Sequence, residues 1–526
     1  MTAFFRSSVF QTVWQEMIGL KNRSTESTPE AMRLRQDCGV MLRVAAHDAE
    51  RRATLWLRHA LLAFLILSSF GLFLNDDASA AETKPRPNVL FLFADDMRAD
   101  SIAALGNATV KTPNLDALVR RGFVMRNAYC FGGNSAAVCT PSRNMLLSGN
   151  AYFRWKDFVP PEMKNARPGG LAPGDGPNFP LSMRDAGYLT YHHGKKGNTA
   201  PLIQAKFEIN KYLRDDEAER LSGEPGREIV DEAISFLRDR HGAAVKSADS
   251  KPFCMYLAFG NPHDPRVAAK KYLDQYDVDR IPLPKNYLPL HPFDNGEMTV
   301  RDEKLLPWPR TEADIRRTLH EYYATITALD FHIGRLLESL KEFGQLDNML
   351  IVFSADQGIA VGSHGLLGKQ NLYDAGMKSP LIFAGSGIAS GESDALVHLF
   401  DIFPTICDLV GASVPTTIDG RSFRPVLEGK TKVARPELML AYLDKQRAFR
   451  DERWKLIRYP QVNVTQLFDL QTDSDERHNL ADEPAQKERV AEMLTRLIKR
   501  QQHYNDDLLL TVRNPKPAAW TLPTTN

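Results

Sequence analysis

The chain of 526 residues, 43% hydrophobic and 25% charged, has a globular composition and is long enough for a large buried core, at a length that usually divides into about two to four domains. Its 66 Lys and Arg stand against 65 Asp and Glu, which excludes a global basic excess for holding nucleic acid and makes any anion recognition local. Five cysteines without a CxxC pair exclude a disulfide scaffold and a thiol-based metal site.

The first eighty residues read as a targeting segment, not as part of a fold. Arg51, Arg52 and Arg58 precede an apolar run from Ala60 to Leu74, and Ala78-Ser79-Ala80 then offers small residues before Ala81, the layout of a secretory signal. At about fifteen residues the run falls short of the roughly 20 that span a bilayer, and a retained anchor is the alternative. Met41 sits just upstream of the arginines, so translation is expected to start there. Residues 1–81 are thus expected to be an extension and secretion signal. The protein is expected to be exported, periplasmic or secreted, with no membrane attachment unless the signal is retained.

The ordered chain is expected to begin at Arg86-Pro87. Asn88 to Phe93 is a continuous apolar run, as in a strand buried on both faces of a parallel sheet, and it leads into Asp95-Asp96. Two adjacent carboxylates at that strand end sit where open α/β sheets bind ligands; a helix N-cap pair is the other reading. Asn114 to Gly122 reads as a short helix and Phe123 to Tyr129 as a strand. Cys139 follows the polar run Gly132 to Ser135 and opens Cys139-Thr140-Pro141-Ser142-Arg143, where a loop turns into an apolar helix whose free N–H groups favour an anion. A lone cysteine is ordinarily small, buried and inert; at an anion site it is a candidate for chemistry.

Ser182 to Gly187 closes a helix, and Tyr188 to His193 reads as a strand running into Gly194-Lys195-Lys196-Gly197, where a glycine-flanked lysine is either an anion clamp or a solvated turn. Asp231 to Arg240 is an amphipathic helix. Phe253 to Phe259 is another buried strand, leading to a loop that presents His263 and Arg266, and a histidine there can act as general acid or base. Pro265 to Pro309, rich in Pro, Tyr and charge, lacks periodicity and fits an excursion over the surface. Asp314 to Phe343 has the spacing of a long helix with one buried stripe. The strand Met349 to Phe353 leads into Asp356-Gln357, so a second strand end delivers a carboxylate and an amide oxygen. With Asp95 and Asp96 these make an all-oxygen set for a hard cation, Ca²⁺ before Mg²⁺. Lys369 is a second glycine-flanked lysine. Cation, lysines, arginine and histidine together suit a tetrahedral oxyanion ester.

Cys139-Thr140-Pro141-Ser142-Arg143 resembles the Cys-x-Pro-x-Arg signature of type I sulfatases, whose cysteine is oxidised to Cα-formylglycine, and Gly187 to Lys195 is similar to their second signature. The resemblance runs in order from Arg86 to about Tyr504. It takes in Asp95-Asp96, Asn261-Pro262-His263, Asp356-Gln357-Gly358, Gly368-Lys369 and the C-terminal piece Arg447 to Leu480. It implies that Asp95, Asp96, Asp356, Gln357 and the modified residue 139 bind one Ca²⁺ per chain; the amide at 357 departs from the Asn or His of many relatives. It implies that the hydrated aldehyde at 139 attacks sulfur through one hydroxyl and expels sulfate with the other. Arg143, Lys195 and Lys369 would hold that residue and neutralise the sulfuryl oxygens, and His263 would protonate the leaving alcohol. Relatives place a further histidine two residues after the first signature lysine. Here that position is Gly197, and His193 is the candidate replacement.

The implied fold is an α/β alkaline-phosphatase-like sandwich around a large mixed sheet, with a catalytic domain over 86–430 and a smaller C-terminal α+β subdomain over 435–510. In the latter, Leu438 to Tyr442, Trp454 to Arg458 and Gln466 to Asp469 read as strands and Ala485 to Tyr504 as a terminal helix. The expected substrate is a sulfated polysaccharide or glycosaminoglycan, with Arg266 and His192 either sugar contacts or, equally, structural salt-bridge or core residues. A formylglycine-generating enzyme is the expected partner in maturation. The alternatives are a phosphate or phosphonate ester hydrolase of the same superfamily and a non-catalytic sulfated-glycan binder.

Overall fold

The computed structural model describes residues 86–161, 167–244 and 251–522. The secretion signal expected within 1–81, the Met41 start and Cys38 lie outside them. Among the described residues no helix is long and apolar enough to cross a membrane.

Along the chain come strands β1 (Asn88–Ala94), β2 (Phe123–Tyr129), β3 (Gly132–Gly133), β4 (Leu189–Gly194), β5 (Ile209–Tyr212), β6 (Phe253–Ala258) and β7 (Met349–Ala355). They continue as β8 (Lys378–Ser379), β9 (Leu381–Gly385), β10 (Gly391–His398), β11 (Glu437–Tyr442), β12 (Gln446–Asp451), β13 (Trp454–Tyr459) and β14 (Val464–Asp469). The main helices are α1 (Pro113–Arg121), α2 (Cys139–Ser148), α3 (Arg227–Ala244), α4 (Glu312–Glu342), α5 (Ile402–Leu409) and α6 (Lys487–Tyr504).

The large sheet has the order β10-β2-β9-β7-β1-β6-β4-β5, with β8 beside β2. From β7 to β5 every neighbour is parallel; β9 runs antiparallel between β7 and β2, which makes the sheet mixed. The apolar run of β1 serves two cores, because strand side chains alternate faces. Val89, Phe91 and Phe93 pack with Met145 of α2, Phe403 of α5 and the small sheet's Leu440 and Leu456. Leu90, Leu92 and Ala94 pack with Leu115 of α1, Val230 of α3 and Tyr322, Ile326 and Leu329 of α4. This is the expected sandwich.

The long helix begins two residues before the predicted Asp314, where Thr311 Oγ1 accepts the Asp314 N–H at 3.1 Å. Its buried Asp330 accepts the N–H groups of Asn114 and Leu115 at 3.2 and 2.7 Å, capping α1, whose own N-cap residue Thr112 makes no side-chain capping bond.

The small sheet, ordered β14-β13-β12-β11-β3, holds the three predicted C-terminal strands plus β12, and α6 covers 487–504 against the predicted 485–504. Its fifth strand comes from elsewhere in sequence: β3, just upstream of Cys139, pairs in parallel with β11. Gly132 has φ +110°, and a Cβ there would lie 2.1 Å from the Ala441 carbonyl oxygen, so only glycine allows this approach. The stretch from Pro265 to Pro309 is not merely superficial: His291, Asp302 and Glu303 within it are buried, as is the adjoining Arg310, because they brace an interior loop.

For His192 the core reading holds. It is fully buried in β4, stacked on Tyr256 at 5.6 Å, with Nδ1 2.7 Å from Asn210 Oδ1 and Nε2 3.1 Å from the Gln204 amide, so it is a core residue and no sugar contact. Burial lowers its pKa from 6.5 to about 3. The unfolded chain therefore takes up a proton below pH 6.5 that the folded chain refuses. Any stability the neutral ring provides is complete above 6.5 and declines as pH falls towards 3. Compared with a His192→Gln variant, the wild type should lose about 1.4 kcal/mol of extra stability per pH unit below 6.5, read from urea unfolding at pH 7.5 to 5. Parallel curves for the two proteins would show that the ring charges in the fold.

Candidate active site

β1 and β7 are parallel neighbours in register, Ala94 opposite Ala355, so the residues after them are forced side by side. The Asp96 N–H donates to Asp356 Oδ1 at 3.0 Å, and the Asp95 N–H to the Asn261 carbonyl at 3.0 Å, which draws in the loop after β6. No helix starts at Asp95-Asp96; the next helical turn is Ala103–Leu105, with Ile102 at its N-cap position, so the N-cap reading falls away. Asp95, Asp96 and Asp356 are fully buried, and with Cys139 each offers a donor atom within 4.8 Å of all the others.

Cys139 is the first residue of α2, and the N-cap residue Val138 contributes no capping side chain. Its Sγ lies 3.1 Å from Asp95 Oδ1 and 3.8 Å from Asp96 Oδ1. Burial, then the Asp356 and Asp95 charges, raise the thiol's pKa well above its ordinary value. One turn on, the Ser142 hydroxyl donates to the Asp356 carbonyl at 2.6 Å. Arg143, without solvent exposure, donates from Nε to Asp356 Oδ2 at 2.9 Å and approaches Asp95 Oδ2 at 3.6 Å. Against the opposing effect of burial, Lys195 and Arg143 hold Asp95 well below the carboxylate range. Burial and the Asp95 charge push Asp356 up to about 7.

Both predicted lysines are in the site. Lys195 is ion-paired with Asp95. Lys369 donates to both Asp96 oxygens at 2.8 Å and lies 3.2 Å from Cys139 Sγ. His263 is set by a 2.6 Å bond from Nδ1 to the Asp264 carbonyl, which leaves Nε2 3.7 Å from Asp96 Oδ2. Gln357 Nε2 reaches Asp96 Oδ1 at 2.6 Å and Cys139 Sγ at 3.1 Å. His193 is not brought to this group. Its charged neighbours are Glu228, Glu232 and Lys211, and burial lowers its pKa to about 4.

Sequence reasoning missed the residues that position these groups. Glu303 accepts the N–H groups of Leu367 and Gly368 at 3.0 and 2.8 Å, just ahead of Lys369, and is itself held by buried Arg310 at 2.9 Å. The Gln370 amide donates to Ala136 and Asp302, tying that loop to the approach to Cys139. The Tyr322 hydroxyl donates to the Asp96 carbonyl at 2.9 Å. Glu303 and Arg310 lie in an aperiodic stretch of the sequence that carries no signal for this role.

The donor set fits a hard cation. Three carboxylates share one buried space, and Gln357 Oε1 is buried without a hydrogen-bond partner among the described residues. Turning the amide over would aim that oxygen at the carboxylates, an arrangement only a cation satisfies.

Residues 87–412 match the sulfatase family, and 362–503 match the family described as N-sulphoglucosamine sulphohydrolase, C-terminal. The chain is 25% identical to an arylsulfatase of Clostridium perfringens, over 80% of this chain and 96% of that protein. It is also 25% identical to an N-acetylglucosamine-6-O-sulfatase of Bacteroides thetaiotaomicron, over 81% and 88%. Among solved structures, one in complex with D-glucosamine-2-N,6-O-disulfate superposes with a TM-score of 0.65 at 23% identity, covering 80% of this chain and 99% of that one. A phosphonate monoester hydrolase from Silicibacter pomeroyi superposes at 0.63 and 25%, covering 80% and 96%. With its signature cysteine seated among paired strand-end carboxylates, the chain belongs to the sulfatase family of the alkaline-phosphatase-like superfamily and is a sulfuric ester hydrolase.

Proposed function

We propose that the enzyme is a formylglycine- and Ca²⁺-dependent sulfatase of sulfated glycans. The observation that carries this is Cys139, buried at the first turn of α2 against Asp95, Asp96 and Lys369. Bound, the cation supplies Lewis acidity and the oxidised residue 139 a nucleophilic oxygen. Asp95, Asp96, Asp356 and Gln357 would hold the cation. Arg143 fixes Asp356 and shares Asp95, so one guanidinium orients two of those ligands. Lys195 and Lys369 place positive charge where the sulfuryl oxygens gather electrons, the kind of fixed electrostatics that dominates such reactions. Three carboxylates balance three cations, so a bound divalent ion would leave the buried site with a positive excess that an anionic sulfate ester reduces. His263, with Nδ1 committed to the Asp264 carbonyl, presents Nε2 to the leaving oxygen as proton donor, although burial and the Lys369 charge lower its pKa against the pull of Asp96.

Glycan substrates are supported by the relatives, which include an ulvan-active sulfatase of Formosa agariphila besides the N-acetylglucosamine-6-O-sulfatase. Export is supported by the arginines and apolar run ahead of Ala81. The phosphonate hydrolase likeness makes phosphorus esters the second reading.

In protein coexpressed with a formylglycine generator, the Cys139 peptide should be lighter than coded by mass spectrometry. Aryl sulfate should turn over faster than the matching aryl phosphate, and Cys139→Ala should lower the sulfatase rate by about 10³-fold or more. A coded thiol in fully active enzyme, or the reverse substrate order, refutes the respective part of this reading. His263→Ala should slow alkyl sulfate esters by roughly 10²–10⁴-fold and activated aryl sulfates much less, while equal losses would remove its role as acid. Ca²⁺ should raise the Tm of chelator-treated protein, and Asp356→Asn should shrink that shift; an undiminished shift places the ion elsewhere.

A further inference from the structure

The loop that ends in Lys369 doubles back on itself. The Ala360 N–H donates to the Gly368 carbonyl at 3.0 Å, the Val361 N–H to the Leu367 carbonyl at 3.2 Å and the Gly362 N–H to the Leu366 carbonyl at 2.7 Å, so both arms run together towards the lysine. The tip is strained: Val361 and His364 lie at φ +43° and +55°, a left-handed backbone that a β-branched residue adopts only where its surroundings impose it. Glu303 holds the outgoing arm through the N–H groups of Leu367 and Gly368.

The incoming arm is held by Arg98, from the turn that follows Asp95-Asp96. Its Nη1 donates to the Ala360 carbonyl at 2.9 Å, the Ser363 hydroxyl at 3.1 Å and the Ile359 carbonyl at 3.3 Å, all on buried residues. Asp100 takes the other edge of the guanidinium, Oδ1 accepting from Nε and Oδ2 from Nη2, both at 2.8 Å, which fixes the plane of the group. The Asp100 side chain is 58% exposed, so this ion pair adds little stability and serves to orient. The base from which Arg98 reaches is fixed too. Asp96 is itself left-handed at φ +60°, and the Tyr322 hydroxyl spans that turn, donating to the Asp96 carbonyl and accepting the Arg98 N–H, each at 2.9 Å. The partners of the Asp96–Lys369 ion pair are thus joined twice, once directly at 2.8 Å and once through Arg98 and the loop it grips.

We propose that Arg98 is a positioning residue for the reaction: acting through the 359–368 loop, it sets Lys369 Nζ against Asp96 and residue 139, and so fixes where positive charge meets the sulfuryl oxygens. A lysine is a point charge on a flexible stem, and its charge acts at full strength only when the backbone beneath it is held. The proposal rests on the role given above to Lys369.

A double-mutant cycle tests it. Arg98→Ala should lower kcat on an aryl sulfate by roughly 10- to 100-fold while KM changes by less than about threefold, since Lys369 meets charge that gathers in the transition state. Arg98→Lys, which cannot grip Asp100 and the loop at once, should fall between Arg98→Ala and wild type. In a Lys369→Ala background the Arg98→Ala change should cost less than about threefold, because the group it positions is gone. Losses that multiply in the double variant, or a change in KM alone, overturn the proposal and leave the role of Lys369 standing. A Lys369→Ala enzyme with the wild-type rate removes that role and the proposal with it. Hydrogen exchange gives a readout without turnover: the amides of Ala360 to Gly362 should exchange faster in Arg98→Ala while those of β1 do not. Unchanged exchange in the loop, or equal acceleration throughout the chain, overturns the proposal. If Arg98→Ala does not fold, Arg98→Lys and Asp100→Asn carry the same cycle, with the same outcomes deciding it.

Discussion

Three aspartates within 4.8 Å of one another, all without solvent, are the constraint around which the molecule is arranged. At that spacing and an effective dielectric of about 20, each like-charged pair costs about 3–4 kcal/mol, so the cluster cannot stand unless cations are brought to it. The chain brings three from three directions: Arg143 from the first turn of α2, Lys195 from the end of β4, and Lys369 from the loop after β7. Each is buried, and each is matched to a different carboxylate. The pairing explains why the strand order matters. Only with β1 between β6 and β7 do Asp95-Asp96, Asp356-Gln357 and the His263 loop emerge at one edge.

Holding the lysine of a loop at 2.8 Å from a carboxylate requires that the loop itself be held. The brace runs outward from Lys369 to Glu303, then to Arg310, whose guanidinium lies 4.4 Å from the Trp308 ring, and Trp308 packs edge-on against Trp520 near the chain end. A second brace holds the small sheet to the large one. Lys455 of β13, fully buried, pairs at 2.7 Å with both Asp374 and Glu476, and the Glu476 carboxylate accepts the Asp374 N–H. Removing one member of such a buried pair strands a charge, which is why distant C-terminal residues bear on the geometry at Cys139.

Most of the framework could be read from the sequence because its signals are local. Apolar runs ending in Asp or Gly marked β1, β6 and β7, and the 3.6-residue spacing marked α4 to within two residues. The signature around Cys139 placed that residue at a helix start, where the structure also puts it. What could not be read was pairing across long separations. β12 carries two arginines in a six-residue strand and looks like a polar loop until β11 and β13 flank it; β3 is two glycines with no strand propensity at all. Glu303 gave no functional signal because its partners are backbone N–H groups, which sequence does not display. His193 and His192 were attractive because histidine at a strand end is often functional. Strand alternation instead turned one towards Glu228 and Glu232 and the other into an aromatic stack.

Cys139 has no exposed surface, and the loop leading to it is closed by bonds from Ala441 N–H to the Phe131 carbonyl and from Leu443 N–H to the Gly133 carbonyl. In the folded chain the thiol presents no surface to a second protein. The oxidation proposed for this residue would therefore have to precede burial of the thiol, while β11 is still unpaired. Changes that slow docking of the C-terminal sheet would lengthen that interval, and a chain that folded faster would trap more of its thiol unconverted.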